Sequence, residues 1–134
     1  GRGGRGRSRR VSTPLDGGPQ APVGVGLVEI IAALQDTAGW IATNSDRDGV
    51  LVGSVAYHFL MLAGTVTGGW QLAVAARAAA RRLAVSDADD AFCTAKLVTA
   101  RFYAEQILPR AHMHAEIVRA GAEAVMSLDE ALLA

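Results

Sequence analysis

The sequence predicts an all-α fold, an up-down-up three-helix antiparallel bundle that ends in a short C-terminal turn or helix. Hydrophobic residues make up 51% of the 134 residues, enough to bury a core, whereas aromatic residues make up only 5%. Alanine is abundant, and apolar residues recur at helical spacing from Leu27 onward. Because alanine favours helices and aromatic residues favour strands, this composition argues against a β-sandwich.

The net charge of zero divides between a basic tail and an acidic body. Five of the 13 basic residues lie in the first ten positions, so the remaining eight, against 13 acidic residues, leave residues 11–134 with a charge of −5. We predict a disordered Gly/Arg-rich leader and linker over residues 1–24 and a bundle domain over residues 25–134. A nucleic-acid-binding arm is the alternative, but the tail has no aromatic side chain to stack on a base. We therefore expect no nucleic-acid partner.

The first helix is predicted over about residues 27–44. Its apolar stripe consists of Leu27, Ile30, Ile31, Leu34, Ala38 and Ile41. Trp40 falls outside this stripe, near the polar face. We interpret Trp40 either as a shield at the edge of the bundle or as a residue that docks on another domain.

A polar segment, residues 44–49, separates the first two predicted helices. Its residues Asn44, Asp46, Asp48 and Gly49 match positions 1, 3, 5 and 6 of an EF-hand loop. Position 12, which requires a bidentate glutamate, is Val55. We therefore predict a helix start capped by Asp46 or Asp48 rather than a calcium site.

The second helix is predicted over about residues 50–84 and carries no formal charge over residues 49–76. Because about 20 apolar residues suffice to span a bilayer, a single-span membrane-anchored protein using residues 50–72 is an alternative. Five glycines and several polar side chains in this stretch favour instead a central helix that is covered on several sides. We therefore do not expect a membrane partner.

The third helix is predicted over about residues 88–122, after an acidic capping segment, residues 86–90. Its charged stripe contains three i, i+4 pairs: Arg101–Glu105, His112–Glu116 and Arg119–Glu123. The stripe keeps its phase beyond Pro109, which predicts a kink there rather than a chain reversal. Residues 127–130 form a capping-box pattern, which predicts a last short turn.

No group of residues predicts a catalytic, cofactor-binding or metal site. His112 and His114 are two positions apart and do not share a helix face, so we interpret His112 as a solvated partner of Glu116 and His114 as a packed residue. His58 lies in the uncharged helix and is interpreted as a core or interface histidine. Cys93 is interpreted as a small buried hydrophobic residue.

Two segments resemble a known family. Residues 59–73, FLMLAGTVTGGWQLA, resemble the long helix of the C-terminal extension found in one branch of the acyl-CoA dehydrogenases. Residues 96–110, KLVTARFYAEQILPR, are similar to the next helix of that module, and the Asp-rich turn between the segments also fits. The resemblance covers about residues 27–130.

This resemblance implies an FAD enzyme in which a glutamate removes the α proton of an acyl-CoA and the flavin accepts the β hydride. The flavin-binding body and the glutamate lie upstream of this module, so we expect a fragment that is inactive as an isolated chain, with FAD bound only in the full-length enzyme. The implied partner is the rest of the dehydrogenase body or a second subunit, and the implied location is cytoplasmic. The candidate contacts are Trp40, Trp70, Arg77, Arg101 and Tyr103, with packing inside the domain as the alternative for each.

Overall fold

The computed structural model describes residues 21–85 and 90–132, and all regular structure in these ranges is helical. In chain order the α-helices are α1 Ala21–Asn44, α2 Leu51–Val85, α3 Ala91–Phe102, α4 Arg110–Ala120 and the short α5 Glu123–Met126. A π-helical turn, Tyr103–Ile107, joins α3 to α4, and a 3-10 turn, Glu130–Leu132, follows α5. The all-α prediction is therefore confirmed for the described residues, but they contain four long helices rather than three.

α2 lies at the centre of the fold, where it packs against α1, α3 and α4, and α1 also packs against α4. The larger core cluster consists of Leu27, Ile30, Leu62, Val66, Leu108, Ala111 and Ala115. A second cluster at the α1–α2 turn contains Leu51, Val55 and Val118, with Trp40 packed against it. Both clusters bury the side of α2 that faces α1 and α4.

α1 begins at Ala21 rather than near residue 27, so the helix takes in the end of the predicted leader and linker. Residues 1–20, on which the prediction of a disordered basic leader falls, lie outside the described residues. At the other end of α1, the Asp48 carboxylate accepts a hydrogen bond of 3.1 Å from the Val50 backbone N–H. This bond orders the turn before α2, but it reaches Val50, which precedes the first helical residue, Leu51, so Asp48 forms an Asx turn at the predicted helix start.

The predicted third helix is interrupted rather than kinked. Proline has no N–H to donate, and its ring displaces the carbonyl four residues earlier. The helix just before Pro109 accordingly widens into a π-helical turn, in which the Leu108 N–H donates to the Tyr103 carbonyl over 2.8 Å. α3 and α4 nevertheless both pack along α2, so the chain is not reversed at the proline.

The C-terminal end of the bundle differs from the prediction at Gly121. This residue has φ +73° and ψ −159°, a conformation that essentially only glycine adopts, and it ends α4 at Ala120. Arg119 and Glu123 are therefore not on one helix, and their predicted i, i+4 pairing was wrong. The predicted last short turn is present as the 3-10 turn Glu130–Leu132.

Candidate functional site

One side of α2 is exposed and uncharged. We call this side the outward face and define it by Gly53, Tyr57, Leu60, Gly64, Thr67, Gln71 and Val74, which are all exposed. Leu60 is 70% exposed and Tyr57 63% exposed, and Trp70, 51% exposed, lies at the edge of the face. Large hydrophobic side chains that are exposed together on one helix, as Tyr57, Leu60 and Val74 are, can mark an interaction site. The prediction that α2 is covered on several sides holds only for its inner side.

By length and composition α2 is also apolar enough to cross a membrane, and only 28% of its most apolar 18-residue stretch is buried. The same test is passed by core helices of globular proteins. Length and composition alone therefore leave the single-span alternative open.

The glycines of α2 fall into two pairs with different surroundings. A Cβ on Gly68 would lie 2.6 Å from the Tyr103 hydroxyl oxygen, and one on Gly69 would lie 2.9 Å from the Leu108 Cδ1. These two glycines are needed for close packing inside the bundle. A Cβ on Gly53 or Gly64 would meet nothing within 4 Å. Since a glycine inside a helix costs about 0.5–1 kcal/mol relative to alanine, packing within the described chain does not account for this outer pair.

An apolar groove of about 300 Å³ between α2 and α3 adjoins the outward face. Its lining residues are Ala75, Ala78, Ala79, Arg82, Phe92, Cys93 and Lys96. At its end Arg82 forms an ion pair with Asp90, with 2.6 Å between Nε and Oδ2. The Lys96 ammonium lies 5.0 Å from the centre of the Phe92 ring. Both cations of the groove are thus engaged by neighbouring side chains.

Asp90 caps α3 and also accepts hydrogen bonds from Cys93, the one cysteine in the sequence. Its carboxylate accepts hydrogen bonds from the Cys93 backbone N–H at 3.0 Å and from the Cys93 thiol at 3.2 Å. The first of these bonds is the main cause of the lowered pKa of Asp90. Burial and then the bond to Asp90 raise the pKa of the Cys93 thiol, which keeps it protonated. The interpretation of Cys93 as a small buried residue is confirmed.

The structure brings together two histidines that the sequence did not connect. His58 of α2 and His114 of α4 are joined by a 3.1 Å hydrogen bond between their Nδ1 atoms. Burial, and then the charge of His58, lower the pKa of His114. Neither histidine belongs to a metal cluster, since the described residues contain no group of three or more His, Cys, Asp or Glu side chains able to hold an ion.

The five candidate contact residues divide between the surface of α2 and the interior of the chain. Trp70 and Arg77 are exposed on α2. Trp40 is partly buried against the cluster at the α1–α2 turn. The Tyr103 hydroxyl donates to the Thr65 carbonyl over 2.9 Å, and Arg101 pairs with Glu105 at 2.7 Å. Trp40, Tyr103 and Arg101 thus make contacts within the chain. Trp70 and Arg77 remain candidates for an external contact.

Comparison with known proteins adds one finding. Residues 16–129 match the family described as "Acetyl-CoA dehydrogenase C-terminal like". No curated protein matches the chain. The matched range includes the whole of α1 to α5.

Proposed function

Because the chain belongs to the Acetyl-CoA dehydrogenase C-terminal-like family, we propose that it is the C-terminal helical module of an FAD-dependent acyl-CoA dehydrogenase. Its role is to pack against the rest of the enzyme or a second subunit in the cytoplasm and so to shape the assembly. The observation that carries this proposal is the outward face of α2, which is uncharged and on which Tyr57, Leu60 and Val74 are exposed in the described part of the chain. The helices follow an up-down-up order in which α3 and α4 together serve as a broken third helix, an arrangement supported by the packing of both along α2.

The residues that line two grooves of the described chain do not fit FAD. The apolar α2–α3 groove offers no ready partner for a pyrophosphate, because Arg82 is paired with Asp90 and Lys96 lies over Phe92. The groove between α1 and α4, about 370 Å³, carries three carboxylates, Glu29, Asp36 and Glu116, against one guanidinium, Arg119, and this negative balance disfavours a pyrophosphate. We assign the cofactor to the remainder of the enzyme and no catalytic step to this chain.

The proposal is tested by mixing the purified chain with a separately expressed, FAD-loaded acyl-CoA dehydrogenase body from the same source. We expect a complex on size-exclusion chromatography, and no flavin absorbance in the chain on its own. Leu60→Glu should abolish the complex by placing a charge in the apolar contact, whereas Val98→Glu, at an equally exposed site on α3, should not. A flavin spectrum from the isolated chain, or no complex with the body, would contradict the proposal.

A single-span membrane anchor is the second candidate, because α2 has the required length and composition and is mostly unburied. Carbonate extraction of membranes from cells expressing the chain separates the two functions. A module that packs on an enzyme is released by carbonate, whereas a chain that spans the bilayer through residues 50–72 stays in the membrane.

A further inference from the structure

We infer that His58 of α2 and His114 of α4, the histidine pair, hold α4 against α2 while the pair carries at most one added proton, and that a second added proton releases α4. The inference concerns the chain by itself and does not depend on the proposed dehydrogenase partner. Three observations carry it: the direct contact of the two rings, the lack of a compensating carboxylate among the described residues, and the small side chains that α4 otherwise buries.

The contact between the two rings limits the number of protons that they can hold together. His58 is partly buried, His114 is 7% exposed, and their Nδ1 atoms lie 3.1 Å apart. A neutral imidazole has one N–H and one bare nitrogen. A hydrogen bond between the two Nδ1 atoms therefore needs one ring as the donor and the other as the acceptor, which leaves the donor ring with a bare Nε2.

A first added proton leaves this hydrogen bond intact. It binds at the bare Nε2 of the donor ring, which we assign to His58 because His58 is the more exposed of the two. The donor ring is then an imidazolium, and a charged donor strengthens a hydrogen bond. The last bare nitrogen of the pair is now Nδ1 of His114, the atom that accepts the bond.

A second added proton is incompatible with the contact. It binds at Nδ1 of His114, so the hydrogen bond loses its acceptor and two cations face each other. Burial, and then the charge of His58, already lower the pKa of His114. When α4 has left α2, both rings are solvated and each can take up its proton. The open state thus holds one proton more than the closed state, and acid favours it.

The charged groups of α1 and α4 do not compensate a second proton. In the described part of the chain neither histidine of the pair forms an ion pair. His112 and Glu116 are each two residues from His114, which places them about 160° around α4 from it. Arg110, one turn before His114, is exposed and carries the same sign of charge as an imidazolium. The groove between α1 and α4 contains the remaining charged groups of these two helices, since it is lined by Glu29, Asp36, His112, Glu116 and Arg119.

The groups on α2 and on the π-helical turn do not compensate it either. α2 has no Asp, Glu, Lys or Arg over residues 51–76, and the ring beside His58 is that of the neutral Tyr57, with 5.0 Å between the ring centres. In the π-helical turn Glu105 is paired with Arg101 at 2.7 Å. Among these groups, separation of the two rings is what relieves a second charge.

Separation of the rings acts on α4 because this helix buries little else. Its buried residues are Ala111, His114, Ala115 and Val118. Two alanines and a valine bury little apolar surface, and hydrophobic stabilisation is roughly proportional to the area buried. His114 lies between Ala111, which belongs to the larger core cluster, and Val118, which belongs to the second. Loss of the contact therefore separates α4 from both clusters, whereas α1 and α3 keep their own contacts with α2.

The first test is hydrogen–deuterium exchange of the full chain, resolved to α3 and α4 and corrected for the intrinsic effect of pH on amide exchange. Between pH 7 and pH 5 the opening constant of α4 should rise at least tenfold, because one extra proton in the open state gives up to about tenfold per pH unit. The opening constant of α3, which contains no histidine, should change less than twofold. A constant value for α4, or an equal rise in both helices, would overturn the inference.

The second test uses glutamine in place of each histidine of the pair, since glutamine forms hydrogen bonds but takes up no proton in this range. In His58→Gln and in His114→Gln the rise in the opening constant of α4 between pH 7 and pH 5 should fall below about threefold. The matched control, His112→Gln, removes an exposed histidine from the same helix and should keep the full rise. A full rise in both pair variants, or its loss in the control, contradicts the inference.

Nitrogen-15 NMR of the histidine rings gives a readout on the unaltered chain, which needs no variant to fold. At pH 7.5 one Nδ1 of the pair should carry a proton and the other none. On acidification α4 should open with the second proton that the pair takes up and not with the first. Two bare Nδ1 atoms, or opening of α4 with the first proton, would refute the mechanism. None of these experiments contains the dehydrogenase body, so their failure leaves the proposed function standing.

Discussion

Gly68→Ala should destabilise the chain, although the same substitution stabilises most helices. The new Cβ would lie 2.6 Å from the Tyr103 hydroxyl oxygen and 3.2 Å from Cζ, so the ring has to move. Moving it breaks the hydrogen bond from Tyr103 to the Thr65 carbonyl, a loss of about 0.5–1.5 kcal/mol. Overpacking adds about 1–3 kcal/mol, and the better helix propensity of alanine offsets about 0.5–1 kcal/mol. We expect the free energy of unfolding to fall by about 1–3 kcal/mol.

The matched control is Gly39→Ala in α1, where an added Cβ meets nothing within 4 Å. It should raise the free energy of unfolding by about 0.5–1 kcal/mol. Urea denaturation followed by circular dichroism at the helix band measures both changes. With a slope of about 1–3 kcal/mol per molar urea, the two midpoints should differ by roughly 0.5 M or more.

A double-mutant cycle identifies the atom that causes the strain. Tyr103→Phe removes the hydroxyl oxygen and leaves the ring carbon, 3.2 Å from the new Cβ, as the nearest neighbour. Gly68→Ala should therefore cost at least about 1 kcal/mol less in the Tyr103→Phe background than in the wild type. The reasoning is refuted if Gly68→Ala stabilises the chain as Gly39→Ala does, or if the two substitutions are additive.

Three further predictions concern the core, the histidine pair and the thiol. Leu62→Ala, at a fully buried position, should lower the free energy of unfolding by about 2–5 kcal/mol in urea titrations, whereas Leu60→Ala, at an exposed one, should change it by less than about 0.5 kcal/mol. Because burial holds the pKa of His114 below its ordinary value of 6.5 and the charge of His58 lowers it further, the unfolded chain binds a proton first as the pH falls. Stability should thus be full above pH 6.5 and decline below it towards the lower pKa of the folded state, and a pH series of urea midpoints that is flat in this range would contradict the coupling. Cys93, buried and hydrogen-bonded, should react with a thiol reagent at least tenfold more slowly in the folded chain than in urea; equal rates would show that it is not protected.

Local spacing predicted α1, α2 and the cap of α3, but not the start of α1 at Ala21. Apolar residues at i, i+3 and i+4 predicted α1, and the acidic residues before α3 predicted the cap that Asp90 forms. These features depend on contacts between residues a few positions apart, and short-range spacing records them directly. The π-helical turn at Tyr103–Ile107 was only partly predicted. Pro109 predicted a departure from regular helix, but a smooth kink and a π-helical turn are both compatible with the same sequence.

The candidate site depended on contacts that short-range spacing does not contain. α2 carries no charge over residues 51–76, so its sequence has no charged stripe to indicate which side the other helices cover. Tertiary packing determines which side of α2 is covered: Leu62 and Val66 are buried, whereas Tyr57 and Leu60 are exposed.

The sequence by itself determined that this protein is helical and which family it resembles, because helix propensity and family motifs depend on neighbouring residues. It also placed the start of α3, through the cap at Asp90, but not the start of α1. Only the tertiary structure decided which glycines of α2 contact Tyr103 and Leu108 and which face outward. It also decided that His58 meets His114 across two helices. These contacts join residues far apart in the chain, and their distances follow from how three apolar surfaces pack around one helix.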